Sequence, residues 1–236
     1  MKAISLFITK APNVISALFL ALLIGGAANI HAQGYQVGGY FTTVSPQGEF
    51  SDNVTNNGYG GGGLFLKRIG PSPILIGLDA GGVVYGSDSH LEPISTTIPN
   101  LLVRVRTSNN ILLAHFLTRI QSRKGGVRPY ADGLIGLKHL FTRTTINSDF
   151  SSEPIAGITD LSDTSLSYGF GGGLQIPIVG SESGIMLDGN VRYLRGGRAE
   201  YLKKGSIRNV GGVAVFDVLS SRTDVVAFQI GVTFRF

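Results

Sequence analysis

The sequence predicts an all-β fold, an eight-stranded antiparallel up-and-down transmembrane β-barrel. Three observations carry that prediction. Apolar and polar residues alternate with period two in segment after segment, and nothing beyond residue 32 sustains a 3.6-residue apolar period. The connections between those segments alternate between short and long. The two faces also differ in kind, with large aliphatics and aromatics on one and mostly Gly, Ser, Thr, Asn and Gln on the other. A barrel in lipid needs both faces, because its backbone pairs within the closed sheet while alternate side chains meet lipid and lumen.

The first stretch is read as a leader. Lys2 and Lys10 precede "VISALFLALLI", an uncharged apolar run from Val14 to Ile24, and "GGAANIHAQG" follows. A basic start, a short apolar stretch and small residues before a polar segment describe a secretory signal peptide. The run falls short of the ~20 apolar residues of a spanning helix. The predicted organisation is a cleaved signal peptide at 1–32 and a barrel domain at 33–236, with cleavage after Ala32 or, as the alternative, Ala28. Without the leader, 18 basic residues face 15 acidic ones. No dense basic stripe is present, so nucleic acid is not an expected partner. With no cysteine, disulfides and thiolate chemistry are excluded.

Eight strands are expected, at 33–43, 58–68, 74–86, 109–121, 127–146, 164–178, 184–195 and 222–236. "QGYQVGGYF" opens the first, with Tyr35, Val37 and Phe41 on one side. In the third, Ile74, Ile76, Leu78, Ala80 and Val84 oppose Asp79. In the fifth, Ala131, Ile135, Leu137 and Phe141 face away from Asp132 and Lys138. The sixth sets Leu166, Tyr168, Phe170, Leu174 and Ile176 against Ser167, Gly169, Gly171, Gly173 and Gln175. The seventh sets Ile185, Leu187, Val191 and Tyr193 against Asp188, Asn190 and Arg192. In the last, Val226, Phe228, Ile230, Val232, Phe234 and Phe236 share one face, and Asp224, Ala227, Gln229, Gly231, Thr233 and Arg235 are assigned to the other.

Short turns are expected at 70–73, 122–129 and 179–184, and long polar loops at 44–57, 87–108, 147–163 and 196–222. Short turns on one rim and long loops on the other mark a bacterial outer-membrane barrel. A turn at "TSNN" (107–110) would give nine strands, and even numbers are the rule for such barrels. Ten strands remain the alternative if "GGVAVFDVL" also spans.

Small residues on the polar face suit the narrow inside of an eight-stranded barrel, so the large apolar face is expected to point outward. Aromatics gather near strand ends, at Tyr35, Phe41, Tyr59, Phe141, Tyr168, Tyr193 and Phe236, as interfacial girdles require. Lys138 or Arg192 in lipid at mid-depth would cost about 2–4 kcal/mol each. Buried charges need partners, so Asp79, His115, Arg119, Asp132, Lys138, Asp188 and Arg192 are expected to form an interior charge cluster that plugs the barrel.

With its leader, "VRPYADGLIGLKHLFTRT" and the terminal "FQIGVTFRF", the chain resembles the small outer-membrane barrel proteins of the OmpX-like and OmpA-transmembrane-domain group. The resemblance implies outer-membrane localisation, a monomer, and a terminal aromatic read by the barrel assembly machinery. Phe236, with Phe234 behind it, would carry that assembly signal.

Motifs for chemistry are sparse. "GYGGGG" matches G-x-G-x-x-G at Gly58, Gly60 and Gly63, but a polar loop precedes it and a strand-like run follows, so glycines easing a barrel strand are the expected reading. His139 is expected to point outward, and no serine–histidine–acid set is expected to converge. Neither enzymatic activity nor a metal or cofactor is therefore predicted. Arg198, Lys203, Lys204 and Arg208 stand in the last long loop beside Glu200, either as a solvated basic loop or as a contact for the phosphates of lipopolysaccharide. The functional expectation is an outer-membrane barrel with a packed polar interior, acting structurally or through its long extracellular loops. A small-solute channel is the alternative, and a lipid-modifying enzyme the third reading.

Overall fold

The computed structural model describes residues 34–95, 98–123, 125–148, 154–178, 184–210 and 213–236, so the predicted leader lies outside the described residues. In chain order the elements are β1 (Tyr35–Pro46), a short helix α1 (Glu49–Asn53), β2 (Gly58–Arg68), β3 (Ile74–Ser95), β4 (Ile98–Gln121), β5 (Arg128–Ser148), β6 (Pro154–Pro177) and β7 (Ile185–Gly196). Then come β8 (Arg198–Tyr201), β9 (Ile207–Val210), β10 (Val213–Phe216), β11 (Leu219–Arg222) and β12 (Val225–Arg235). β1 to β7 and β12 form one closed antiparallel barrel of eight strands. Closure comes from β12 pairing back to β1, with Phe234 opposite Val37 and Ile230 opposite Phe41. Closure pairs both edges that an open sheet would expose.

The alternation is realised as an inside and an outside. Leu78, Phe170 and Ile230 are 61%, 69% and 58% exposed on the outer wall, while Asp79 on the next position of β3 is 3% exposed. Phe41, Phe65, Phe116, Ile135, Leu166, Val191 and Phe228 continue the same outward band. A one-residue slip in any strand would exchange these two sets.

Two differences from the expected strand map have physical reasons. The segments 87–108 and 147–163, expected as polar loops, are largely strand, because β3 to β6 run on beyond the barrel. Above the Tyr59–Val84 pair, β3 has β4 alone as its barrel neighbour, and β4, β5 and β6 continue beside it. The projection is about 35 Å at ~3.4 Å per residue. Val103, Val105, Thr107, Thr144, Thr145 and Ile146 supply β-propensity there, but a ribbon with two solvated faces needs no apolar alternation and so reads as a loop. "TSNN" lies within β4, where Thr107 pairs with both Asp88 and Thr144, so no turn splits the strand. The segment behind the ten-strand alternative forms β10, which pairs with β9 in a separate ribbon, and β8 pairs with β11 in another.

Candidate functional site

The candidate site is the interior, built up from the short-turn rim. Gln36 of β1, Gln121 of β4 and Gln175 of β6 lie at that end and face inward. Gln36 Nε2 donates to Gln121 Oε1 at 2.7 Å, Gln121 Nε2 to Gln175 Oε1 at 2.6 Å, and Gln175 Nε2 to Gln36 Oε1 at 3.4 Å. Three strands are thereby tied across the lumen by a ring of amides. Gln175 Nε2 also donates to Asp188 Oδ2 at 2.7 Å, which joins the ring to the charges above it.

Those charges form one chain. Arg119 grips Asp132 through Nε–Oδ1 at 2.7 Å and Nη2–Oδ2 at 2.9 Å, a bidentate pair. Its Nη1 lies 3.5 Å from Asp188 Oδ2, an ionic contact too long for a good hydrogen bond. Arg192 spans Asp79 at 2.9 Å and Asp132 at 3.2 Å. Tyr40 Oη donates to Asp79 at 2.9 Å, Tyr130 Oη donates to Asp188, and Thr233 Oγ1 donates to Asp188 at 3.2 Å. The Arg119 guanidinium also lies 3.5 Å over the Tyr130 ring. Alternating acid and base in series is what permits five charges to be buried in a narrow lumen.

Asp79, Arg119, Asp132, Asp188 and Arg192 are thus connected, whereas two members of the expected cluster stand apart. His115 pairs with Ser167 Oγ through Nε2 at 2.9 Å. Lys138, fully buried, donates to the Thr223 carbonyl instead of a carboxylate. The reason is height, because Lys138 lies opposite Leu113 on β4, six residues along β5 from Asp132. Asp224, assigned from sequence to the inner face, precedes β12 and sits on the rim. There it accepts from Gly196 N at 2.9 Å and Tyr193 Oη at 3.3 Å.

The glycine-rich runs belong to this plug. A Cβ on Gly62 would come 2.6 Å from Tyr40 Oη, one on Gly173 2.5 Å from Tyr130 Oη, and one on Gly171 2.6 Å from Arg192 Cγ. "GYGGGG" and "GFGGG" therefore clear room for two tyrosines and an arginine inside the wall. A remaining space of about 10 Å³, water-sized, is lined by Gly38, Tyr40, Leu64, Asp188, Asn190 and Thr233.

The outer half of the lumen departs from the expected polar interior. Val44, Val83, Ile111, Leu140, Leu194 and Val225 line it, and α1 drops Phe50 into it without exposure. The Phe50 ring meets Tyr85 at 5.7 Å and Tyr201 at 5.0 Å, both edge-on. Tyr85 Oη donates to the Leu202 carbonyl at 3.0 Å, and Glu49 accepts from Arg198 Nη2 at 3.4 Å and Arg222 N at 3.1 Å. Helix α1 and the β8–β11 ribbon therefore cap the long-loop mouth. Apolar positions alternate there too, but those residues pack under a cap, with buried Lys138 two positions from Leu140 on the same face.

The basic loop is partly neutralised by carboxylates distant in sequence. Arg198 reaches Glu49, and Lys204 Nζ lies 3.9 Å from Asp88. Lys203 is exposed, while Arg208 is in β9 with its side chain outside the described residues. Phe234 lies on β12 and Phe236, 39% exposed, follows that strand. His139 faces outward with Nδ1 2.8 Å from Thr164 Oγ1.

Contrary to the sequence expectation, a serine, a histidine and an acid do come near one another, since Asp79 lies opposite His115, which holds Ser167. Among the described residues His115 Nδ1 has no hydrogen-bond partner, however, and Ser167 is completely buried. A triad needs the acid on that nitrogen and an accessible hydroxyl. Sequence reading also passed over Tyr40, Tyr130, Gln36 and Gln121, and gave Gln175 a face without a role. Parity could have found them, because Tyr40 falls with Gln36 and Thr42, and Tyr130 with Asp132.

No family model matches the sequence, and no curated protein does. Solved structures similar to the chain include Neisserial surface protein A, with 13% identity, 86% of this chain and 97% of that one covered, and a TM-score of 0.44. A major outer membrane protein from Thermus thermophilus is 11% identical, with 87% and 100% covered and a TM-score of 0.44. Ail, the attachment invasion locus protein of Yersinia pestis, is 16% identical, with 86% and 97% covered and a TM-score of 0.35. These neighbours are small outer-membrane barrels, and the chain is a closed eight-stranded barrel.

Proposed function

We propose that the chain is a monomeric outer-membrane barrel, exported by a cleaved signal peptide, whose lumen is sealed and whose work is done at its long-loop end. The observation that carries this reading is the inverted wall, with aliphatics and aromatics outside and five interlinked charges inside. A water-soluble barrel would expose the charges and bury the large apolar side chains. Two closures support a structural or surface-interaction role over conduction, the amide ring and charge chain below and the Phe50 cap above. The projecting sheet of β3 to β6 offers the surface for contacts outside the cell.

In this orientation the short turns face the periplasm and the long loops the exterior. Lys203 and its neighbours then stand where lipopolysaccharide phosphates lie, and Phe234 and Phe236 stand at the end that the assembly machinery would read. Cell fractionation with heat-modifiable gel migration tests localisation and fold together. The expected product is a membrane-embedded band that migrates faster unheated than boiled. A soluble periplasmic product would overturn the reading. Planar-bilayer recording of the purified protein should show no steady open level, and a stable conducting state would favour the channel alternative.

A further inference from the structure

The short-turn mouth carries a second charge arrangement that the sealed-barrel reading does not use. Arg68 ends β2 on the parity of buried Leu64 and Leu66, Arg128 opens β5 on that of Tyr130 and Asp132, and Arg235 ends β12 on that of Thr233. All three therefore point to the lumen side of the rim, below the glutamine ring. β5 lies opposite β1 around the barrel, and β2 and β12 flank β1, so Arg128 meets the other two from the far wall. Arg123 joins them from the turn between β4 and β5. Like-charge repulsion reaches Arg68 from Arg123 and Arg128, and reaches Arg235 from Arg128 and Arg68.

Their hydrogen bonds go to turn carbonyls. Arg68 Nη1 donates to Ser72 O at 3.1 Å, Arg128 Nε to Gly125 O at 3.3 Å, and Arg123 Nη1 to Pro71 O. Among the described residues no carboxylate pairs with any of the four. The contrast with the lumen above is sharp, since there Arg119 and Arg192 are both matched by aspartates. It also contrasts with Lys67, which lies on the outer parity of β2 and sits 5.5 Å over the Tyr35 ring.

We infer that Arg68, Arg123, Arg128 and Arg235 form an anion site at the short-turn mouth, taking a phosphate group. Four guanidiniums gathered without a paired carboxylate repel one another less when a phosphate oxyanion enters, and their planar forks match phosphate oxygens two at a time. Turn carbonyls hold three of them in place, so little side-chain freedom is lost on binding. The glutamine ring forms the floor, so the anion docks at the mouth and goes no further. The phosphate comes either from a soluble periplasmic compound or from a phospholipid headgroup of the inner leaflet. The periplasmic location rests on the orientation proposed above, whereas the binding does not.

The test is calorimetric titration of the purified barrel in a phosphate-free glycoside detergent, with inorganic pyrophosphate as the probe. Saturable binding with one site per barrel is expected, weakening as sodium chloride is raised. Arg128→Gln with Arg235→Gln should weaken it about 10- to 100-fold, the effect of losing charge-assisted contacts. Lys67→Gln should leave it within about twofold, because that charge faces outward. Heat-modifiable migration of each variant confirms that the barrel is folded. Repeating the titration in nanodiscs separates the sources. Loss of pyrophosphate binding in phosphatidylglycerol but not phosphatidylcholine discs assigns the site to headgroups, and retention in both assigns it to soluble phosphate. Absence of saturable binding in detergent, or an equal loss in Lys67→Gln, would overturn the inference.

Discussion

Arg192→Leu is the most informative perturbation of the plug. The guanidinium is 1% exposed and holds Asp79 at 2.9 Å and Asp132 at 3.2 Å. Removing it leaves Asp79 with Tyr40 Oη as its one hydrogen-bond partner among the described residues, while Asp132 keeps its bidentate grip on Arg119. Two charge-assisted bonds of ~1.5–3 kcal/mol each are lost, and one buried carboxylate is left without its cation. Breaking a buried pair in this way costs about 3–5 kcal/mol. Urea unfolding of the barrel in lipid vesicles, read by tyrosine fluorescence and gel migration, measures the loss. Arg192→Lys should cost less, about 1.5–3 kcal/mol, because charge is kept and the fork is lost. The double variant Arg192→Leu with Asp79→Leu should be more stable than the sum of the single losses implies, with a coupling of about 1–3 kcal/mol. A loss below about 0.5 kcal/mol for Arg192→Leu, or strict additivity in the cycle, would refute the view that these charges act as one network.

Lys138→Met should behave oppositely although it too removes a buried charge. Its partner is the Thr223 carbonyl, so a change within about 1 kcal/mol of wild type is expected in the same unfolding assay, and a loss near 3 kcal/mol would mean that Lys138 is ion-paired. Gly173→Ala places a methyl 2.4 Å from the Gly189 carbonyl oxygen and 2.5 Å from Tyr130 Oη, and should destabilise by about 1–3 kcal/mol in the same unfolding assay. Phe50→Ala empties the apolar cap and should cost about 3–5 kcal/mol. Because the polar plug beneath is untouched, bilayer recordings of this variant should stay closed. Deleting Phe236 should lower the amount of inserted barrel while leaving the unfolding midpoint of the inserted fraction near wild type; unchanged surface levels would argue against the assembly role.

The sequence by itself determined the wall. Period-two alternation assigns the residues of the barrel-forming part of β1 to β7 and β12 to a face, and the difference between the faces sets which one points out. The order of strands follows from turn lengths, since antiparallel neighbours need only short connections. These are local properties, and the barrel-forming part of the strands follows them, as exposed Leu78 beside buried Asp79 on β3 shows. Sequence also marked the lumen charges, because a charge at mid-depth on a barrel strand is far less costly inside than facing lipid.

Only the tertiary structure decided which of those charges meet. Contact across the lumen depends on each strand's height in the closed sheet, and height is set by register around the barrel. That is why Arg119 and Arg192 both reach Asp132 from different strands, while Lys138 stands too far along β5 to join them. The same dependence hid the ring of three glutamines, the Phe50 cap and the four arginines of the short-turn mouth, whose members come from different strands and turns. A face can be read along one strand, but a cluster needs the barrel to close.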